Sequence, residues 1–175
     1  MLSINNFMIA TEPLSPPDFA RILPNHEGAA DSRFVVNFWR KSADNRLIFG
    51  GGENYSAHWP RDIAGFVRHY MLKLYPFLRE TRIDYAWGGT LAITRARMPF
   101  LRALAPNILC AAGYSGQGVM LAPFIGHVMA KAANGIIDDF DILSRFPSRP
   151  FPGGGLLRWP LQVAGLSWHA LLDRL

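Results

Sequence analysis

The sequence is poor in the residue types from which several function classes are built. It has one cysteine, Cys110, inside an apolar run, so a disulfide scaffold is excluded and a reducing compartment fits. Its five histidines, His26, His58, His69, His127 and His169, share no ligand spacing, and no metal site is expected. Lysine is scarce: of 18 basic residues only Lys41, Lys73 and Lys131 are lysines. The arginines are scattered, so the net charge of +5 gives no nucleic-acid footprint. Arginines spread in this way serve ion pairs, anions or an acidic partner. Long apolar runs are missing as well. The most apolar, 119–130, contains Pro123 and His127 and falls short of the ~20 residues that cross a bilayer. The first six residues lack the basic segment of a secretory signal. A soluble, cytoplasmic protein is expected, with no nucleic-acid partner and no membrane span.

What the chain does have is core material and punctuation. Half of its 175 residues are hydrophobic and 18% are charged, which suffices for a folded domain with a real core. Thirteen prolines and 16 glycines predict many turns. Residues 7–11 read as a short strand, either at a sheet edge or in a chain that begins partway through a domain, and 15–18 as an open loop. Residues 34–40 and 46–50 read as a hairpin joined by Ser42-Ala43-Asp44-Asn45, with Phe34, Val36, Phe38 and Arg40 on one face; Gly50-Gly51-Gly52 then breaks the strand. From Pro60 to about Tyr75 the apolar residues Ile63, Phe66, Val67, Tyr70, Met71 and Leu74 fall at helical spacing. A long strand over 82–94 is interrupted by Gly88-Gly89, which predicts a bulge or a close approach of a ligand or another backbone. Asn134-Gly135 reads as a C-cap, 138–143 as a short acidic helix, 147–155 as a loop, and 159–172 as a last helix with Pro160 in its first turn.

The organising stretch is Gly113-Tyr114-Ser115-Gly116-Gln117-Gly118-Val119. Ile108-Leu109-Cys110-Ala111-Ala112 before it reads as a buried strand, and 120–133 after it as a buried helix. The free N–H groups and positive end of such a helix favour an anion or an electron-rich ring edge, and glycines let a flat ligand approach the backbone. A tight strand-to-helix connection would use glycines too, and spacing alone does not separate the two readings. The spacing G-x-x-G-x-G differs from the dinucleotide fingerprint. Ser115 lacks the last glycine of a nucleophile elbow, Cys110 in apolar company is an inert thiol, and His127 reads as a core histidine on the buried helix.

Several blocks together resemble the C-terminal half of the D-amino-acid-oxidase-like FAD-dependent oxidoreductases, with the likeness greatest to the gamma-glutamylputrescine oxidase branch. They are Ile9-Ala10-Thr11-Glu12-Pro13-Leu14, Arg46-Leu47-Ile48-Phe49-Gly50-Gly51, Trp87-Gly88-Gly89-Thr90-Leu91-Ala92-Ile93-Thr94 with Met98-Pro99, the Gly113 to Val119 turn, and Phe151-Pro152-Gly153-Gly154 with Asp173-Arg174-Leu175. They stand in the family's order and cover nearly the whole chain. The resemblance implies an α+β fold: a mixed, largely antiparallel substrate-domain sheet with helices over 1–105, and the last strand-turn-helix of an FAD-binding domain with a terminal helix over 106–175. It implies FAD as cofactor, flavin contact by Gly113, Tyr114, Ser115, Gly116, Gln117, Gly118 and Val119, and Trp87, Gly88 and Gly89 on the flavin and substrate side. It implies oxidation of an amine C–N bond to an imine, with O2 as acceptor and a small amine as substrate. Tyr55, after the glycine run, and Arg40, at a strand end, are further candidates for substrate contact. A surface tyrosine and a surface salt bridge are the alternatives.

Three departures accompany the resemblance. The family's N-terminal dinucleotide motif is missing, so the chain is expected to be a fragment, a late-start product or one subunit that pairs with a separate FAD-binding chain. A non-catalytic structural subunit is the rival reading. Gln117 stands where a basic residue or histidine often sits. Leu91 stands where amino-acid oxidases carry a carboxylate-binding arginine.

Overall fold

The computed structural model describes every residue except 26, 55–57, 153 and 173–175, and omits the side chains of Glu53, Asn54, Arg158 and Ala170. The fold is mixed α and β with antiparallel sheets, and the chain divides into two compact units. One comprises Asn5–Thr90 and Val163–Leu175, the other Met1–Ile4 and Leu91–Gln162.

The first unit is built on strands β1 (Leu2–Thr11), β2 (Gly28–Ala30), β3 (Phe38–Lys41), β4 (Leu47–Asn54) and β5 (Ile83–Ile93), in the order β2-β3-β4-β1-β5. β1 to β4 form three antiparallel pairs that place Ala10 opposite Ile48, Ile48 opposite Arg40, and Arg40 opposite Gly28. Side chains alternate across a strand, so one face receives Phe7, Ile9, Leu47 and Phe49, all fully buried. Against them pack Val67 and Met71 of helix α2 (Ile63–Leu74), as the helical spacing predicts. Asp62 caps that helix by accepting the Gly65 N–H at 2.8 Å, and Pro76 follows its end with a single 3₁₀ turn over Pro76–Leu78. Trp39 stacks on Phe49 at 5.7 Å between ring centroids, and Phe66 meets Phe7 edge-on. Each of the fully buried rings, Phe7 and Phe49, contributes about 1.5–3 kcal/mol. At the sheet end Arg46 bridges Asp84 and Asp44, both at 2.6 Å, and Arg82 pairs with Glu12 and Asp84.

The second unit is smaller in core. Strands β6 (Phe100–Ala105) and β7 (Ile108–Ala112) pair antiparallel, and helices α3 (Gly118–Ala133) and α4 (Asp138–Ser144) join them. Leu101, Ile125, Val128 and Phe140 form its buried cluster. Lys131 reaches Asp139 at 2.6 Å, and the Arg102 guanidinium donates to the carbonyls of Ser144 and Phe146. Helix α5 (Gly154–Leu172) runs through both sets of residues.

Several sequence expectations are corrected. β1 lies between β4 and β5, away from any edge. Residues 16–20 form a short helix, α1 (Pro16–Ala20), because Ser15 caps it and Pro16 and Pro17 preset its φ. The hairpin strand begins only at Phe38, since Asp31 captures the Asn37 N–H at 2.9 Å and holds 31–37 as a loop. The triple glycine lies within β4, and the Gly88-Gly89 pair within an unbroken β5. β7 is half-buried, and α3 buries only Ile125 and Val128. His127 is therefore an exposed residue. α5 starts five residues earlier than expected, at Gly154, with Pro160 inside it.

Candidate functional site

Between β7 and α3 the backbone turns through left-handed conformations at Gly113 (φ +72°), Ser115 (φ +54°) and Gly116 (φ +91°). Gly113 is required twice over: beyond its φ, a Cβ there would lie 2.5 Å from Thr94 Cγ2 and 2.9 Å from Met1 Sδ. At Gly116 a Cβ would meet only Leu91 Cδ1, at 3.8 Å, so glycine serves the φ there and the space above it is open. Ser115 adopts a conformation uncommon outside glycine, and its surroundings hold it. Its N–H donates to the Ala92 carbonyl at 3.1 Å, and its Oγ accepts the Thr94 N–H and donates to the Gly113 carbonyl, each at 3.2 Å. The buried Thr94 hydroxyl is fixed in turn on the Met98 carbonyl at 2.7 Å. A hydroxyl committed in this way positions the turn and leaves no free nucleophile.

The turn leaves donors over. The Gln117 N–H bonds the Tyr114 carbonyl, and those of Met120 and Leu121 bond Gln117. Among the described residues the N–H groups of Gly116, Gly118 and Val119 have no acceptor. Gln117 makes no capping bond and α3 has no acid in its first turn. Unpaired donors at the positive end of a 16-residue helix form a place for negative charge. Leu91, in the same unit, puts an apolar methyl beside this turn and offers no donor.

The other unit presents a second feature, on the sheet face opposite its core. A Cβ at Gly88 would lie 2.6 Å from the Phe7 ring, so Gly88 faces the core side. By alternation Trp87 and Gly89 face the other side. There the strand pairing also sets Met8, Ile48, Phe38 and Arg40. Gly50 lets the Phe38 ring lie across the sheet, in the place a Cβ would take. The result is a cleft of about 340 Å³ whose walls include Met8, Ala30, Phe38 and Ile48, with Arg40 as its one charged residue. The structure thus gathers Arg40, Trp87 and Gly89 on one face and sends Gly88 to the other. Tyr55 lies outside the described residues. Among these residues no group of histidine, cysteine and acidic side chains could hold a metal ion.

Sequence reasoning missed Thr94, Met8 and Ile48. The alternation that put Phe38 with Arg40 was the signal for the cleft. Nothing in the sequence marked Thr94 as the residue that holds Ser115.

Comparisons with known proteins give the family and the fold. Residues 1–132 match the model of a family described as FAD dependent oxidoreductase. The chain is 43% identical over 174 residues to a probable oxidoreductase, OrdL, of Rhizobium meliloti, a match covering 99% of this chain and 40% of that protein. It is 38% identical to the gamma-glutamylputrescine oxidoreductase of Escherichia coli, over 96% of this chain and 39% of that one. The chain therefore spans about 40% of the length of these relatives. Among solved structures, glycine oxidase from Geobacillus kaustophilus matches 86% of the chain and 40% of its own length, with a TM-score of 0.64 at 17% identity. L-proline dehydrogenase from P. horikoshii matches 82% and 40%, with a TM-score of 0.59 at 20% identity. These two likenesses establish the fold. The unpaired N–H groups and open space at Gly116 fit the electron-rich edge of a flavin, which gains negative charge on reduction. The chain belongs to the DAO family of FAD-dependent oxidoreductases, and its cofactor is FAD.

Proposed function

We propose that the complete protein is an FAD-dependent amine oxidase of the gamma-glutamylputrescine oxidase type, with residues 106–175 on the flavin side and 1–105 on the substrate side. FAD supplies the redox chemistry, in which a hydride leaves the carbon next to the amine nitrogen, an imine results, and O2 is reduced to peroxide. In this reading the segment from Gly113 to Val119 holds the flavin edge. The unpaired N–H groups of Gly116, Gly118 and Val119, which carry the reading, stabilise negative charge there without rearranging. Ser115 and Thr94 keep the turn in its left-handed form. Trp87, Gly89 and Arg40 offer the substrate one apolar sheet face, while Gly88 seats that strand on Phe7.

Leu91 sets the substrate class. It stands beside the turn without a donor, and burying an unpaired carboxylate there costs several kcal/mol. The amine substrate accordingly carries no carboxylate on the carbon that is oxidised. The test is a peroxide assay on the complete protein with glycine, sarcosine, a D-amino acid, putrescine and gamma-glutamylputrescine. The highest kcat/KM is expected for the last, and Leu91→Arg should shift preference toward glycine. A wild-type preference for glycine or the D-amino acid would defeat the reading.

A further inference from the structure

Several cations in and beside the sheet of Asn5–Thr90 are engaged. Lys41 holds its ammonium 4.1 Å from the centre of the Phe19 ring, Arg46 is bound by Asp44 and Asp84, and Arg82 by Glu12 and Asp84. Arg40, an exposed residue, has no acid within reach among the described residues, as is also true of Arg61 and Arg79; unlike those two it lines the cleft. It lies at the rim of the apolar cleft formed over Phe38, Met8 and Ile48. A guanidinium matches a carboxylate with two parallel hydrogen bonds. The cleft, at about 340 Å³, falls at the small end of the range for small-molecule sites. It suits a short methylene chain with one charged end.

We propose that this cleft receives the carboxylate at the far end of an amine substrate, with Arg40 pairing with it and the methylene chain lying on Phe38, Met8 and Ile48. This rests on the reading of the sheet face as the substrate side. Arg40 is then a specificity residue: it selects amines whose remote end is a carboxylate and discriminates against plain diamines of equal length.

The test uses the chain with carbon-13-labelled methionine methyl groups, the Met8 signal being assigned by Met8→Leu. The probes are pentanoate, 5-aminopentanoate and 1,5-diaminopentane, followed by NMR. Both carboxylates should shift the Met8 signal saturably and the diamine should not. Arg40→Gln should weaken the carboxylates at least tenfold, Arg40→Lys should retain part of the affinity, and Arg40→Glu should reverse the preference toward the diamine. Equal binding of the diamine, no saturable shift with either carboxylate, or undiminished binding to Arg40→Gln would each overturn the proposal. Because the assay contains no flavin, its result is separable from that of the oxidase reading. In the complete protein, Arg40→Gln should raise KM for the amine with a remote carboxylate and lower that for putrescine. A general loss of activity on every amine would show that Arg40 serves the fold rather than specificity and would overturn its role in selection, while absence of amine oxidation by the wild type would defeat only the oxidase reading.

Discussion

The two compact units of this chain divide its apolar residues in opposite ways. The unit of Asn5–Thr90 and Val163–Leu175 gathers nine into one buried cluster, from Phe7 to Leu78, and surrounds them with interlocking aromatic rings. The unit of Met1–Ile4 and Leu91–Gln162 buries a cluster of four and leaves comparable residues exposed: Val119 is 97% and Leu156 92% accessible. Helix α3 shows the contrast best. Its sequence is apolar on nearly every side, and two of its sixteen residues are buried. Core mass therefore supports the unit with the cleft, whereas local hydrogen bonds hold the turn with the unpaired donors. Its geometry rests on the positive φ of Gly113, Ser115 and Gly116 and on the hydrogen bonds between Ser115 and Thr94. Damage to packing should accordingly be felt in one unit, and damage to backbone conformation in the other.

The largest expected effect comes from Phe49→Ala. The ring is fully buried and stacked on Trp39, so its removal should cost about 3–5 kcal/mol. Urea melting with amide hydrogen exchange should show protection lost from β1, β3, β4 and α2 while the amides of α3 keep theirs. If both units lose protection together, they are one cooperative body and the contrast drawn above fails.

A middle-sized effect is expected from Gly116→Val. At φ +91° a β-branched residue is strained whatever space surrounds it, at a cost of about 1–3 kcal/mol. The open space above Gly116 supplies the control. Asn tolerates positive φ, so Gly116→Asn should restore most of the thermal stability. If the turn holds the flavin edge, Gly116→Asn should still impair flavin retention in the complete protein. Full recovery of both stability and retention would reduce Gly116 to a structural turn residue.

What the sequence revealed follows the same division. Period-two alternation in 38–40, helical spacing in 63–74 and the strand-turn-helix around Gly113 were legible, because each is a local pattern that packing then used. The glycines were read as breaks, yet β4 and β5 run through them; the close approach expected in β5 is present at Gly88, where a Cβ would lie 2.6 Å from the Phe7 ring and 3.2 Å from the Asn6 carbonyl oxygen. Gly50 makes room for the ring of Phe38, its partner across the hairpin, and Gly88 for the ring of Phe7, a residue far away in sequence that no local pattern encodes. α1 was missed because Ser15-Pro16-Pro17 reads equally as turn chemistry and as a capped helix start. Strand β6 was missed because Phe100 to Ala105 lacks alternation; its pairing with β7 supplies the order instead. The burial of α3 was overestimated, because apolarity all round a helix reports what it could bury and this chain covers only one stripe of it.

The smallest effect concerns pH and the seam between α3 and α4. The Lys131 ammonium, hydrogen-bonded to Asp139 at 2.6 Å, holds that carboxyl below the usual aspartate value. A carboxyl whose folded pKa is depressed contributes stability above its ordinary value of about 3.9 and loses it as pH falls through the lower folded value. Acid should therefore loosen α4 from α3 before it affects the sheet of the other unit, where packing dominates. The carboxyl signal of Asp139, followed by NMR, should titrate below the ordinary aspartate midpoint, and Lys131→Gln should return it there. In the same variant the exchange rates of α4 amides should vary less with pH below about 4. Both residues are largely solvated, so the change in melting temperature at neutral pH should be slight. An Asp139 midpoint at or above the ordinary value would show that the pair does not persist in solution, and that the lighter unit lacks even this tie between its helices.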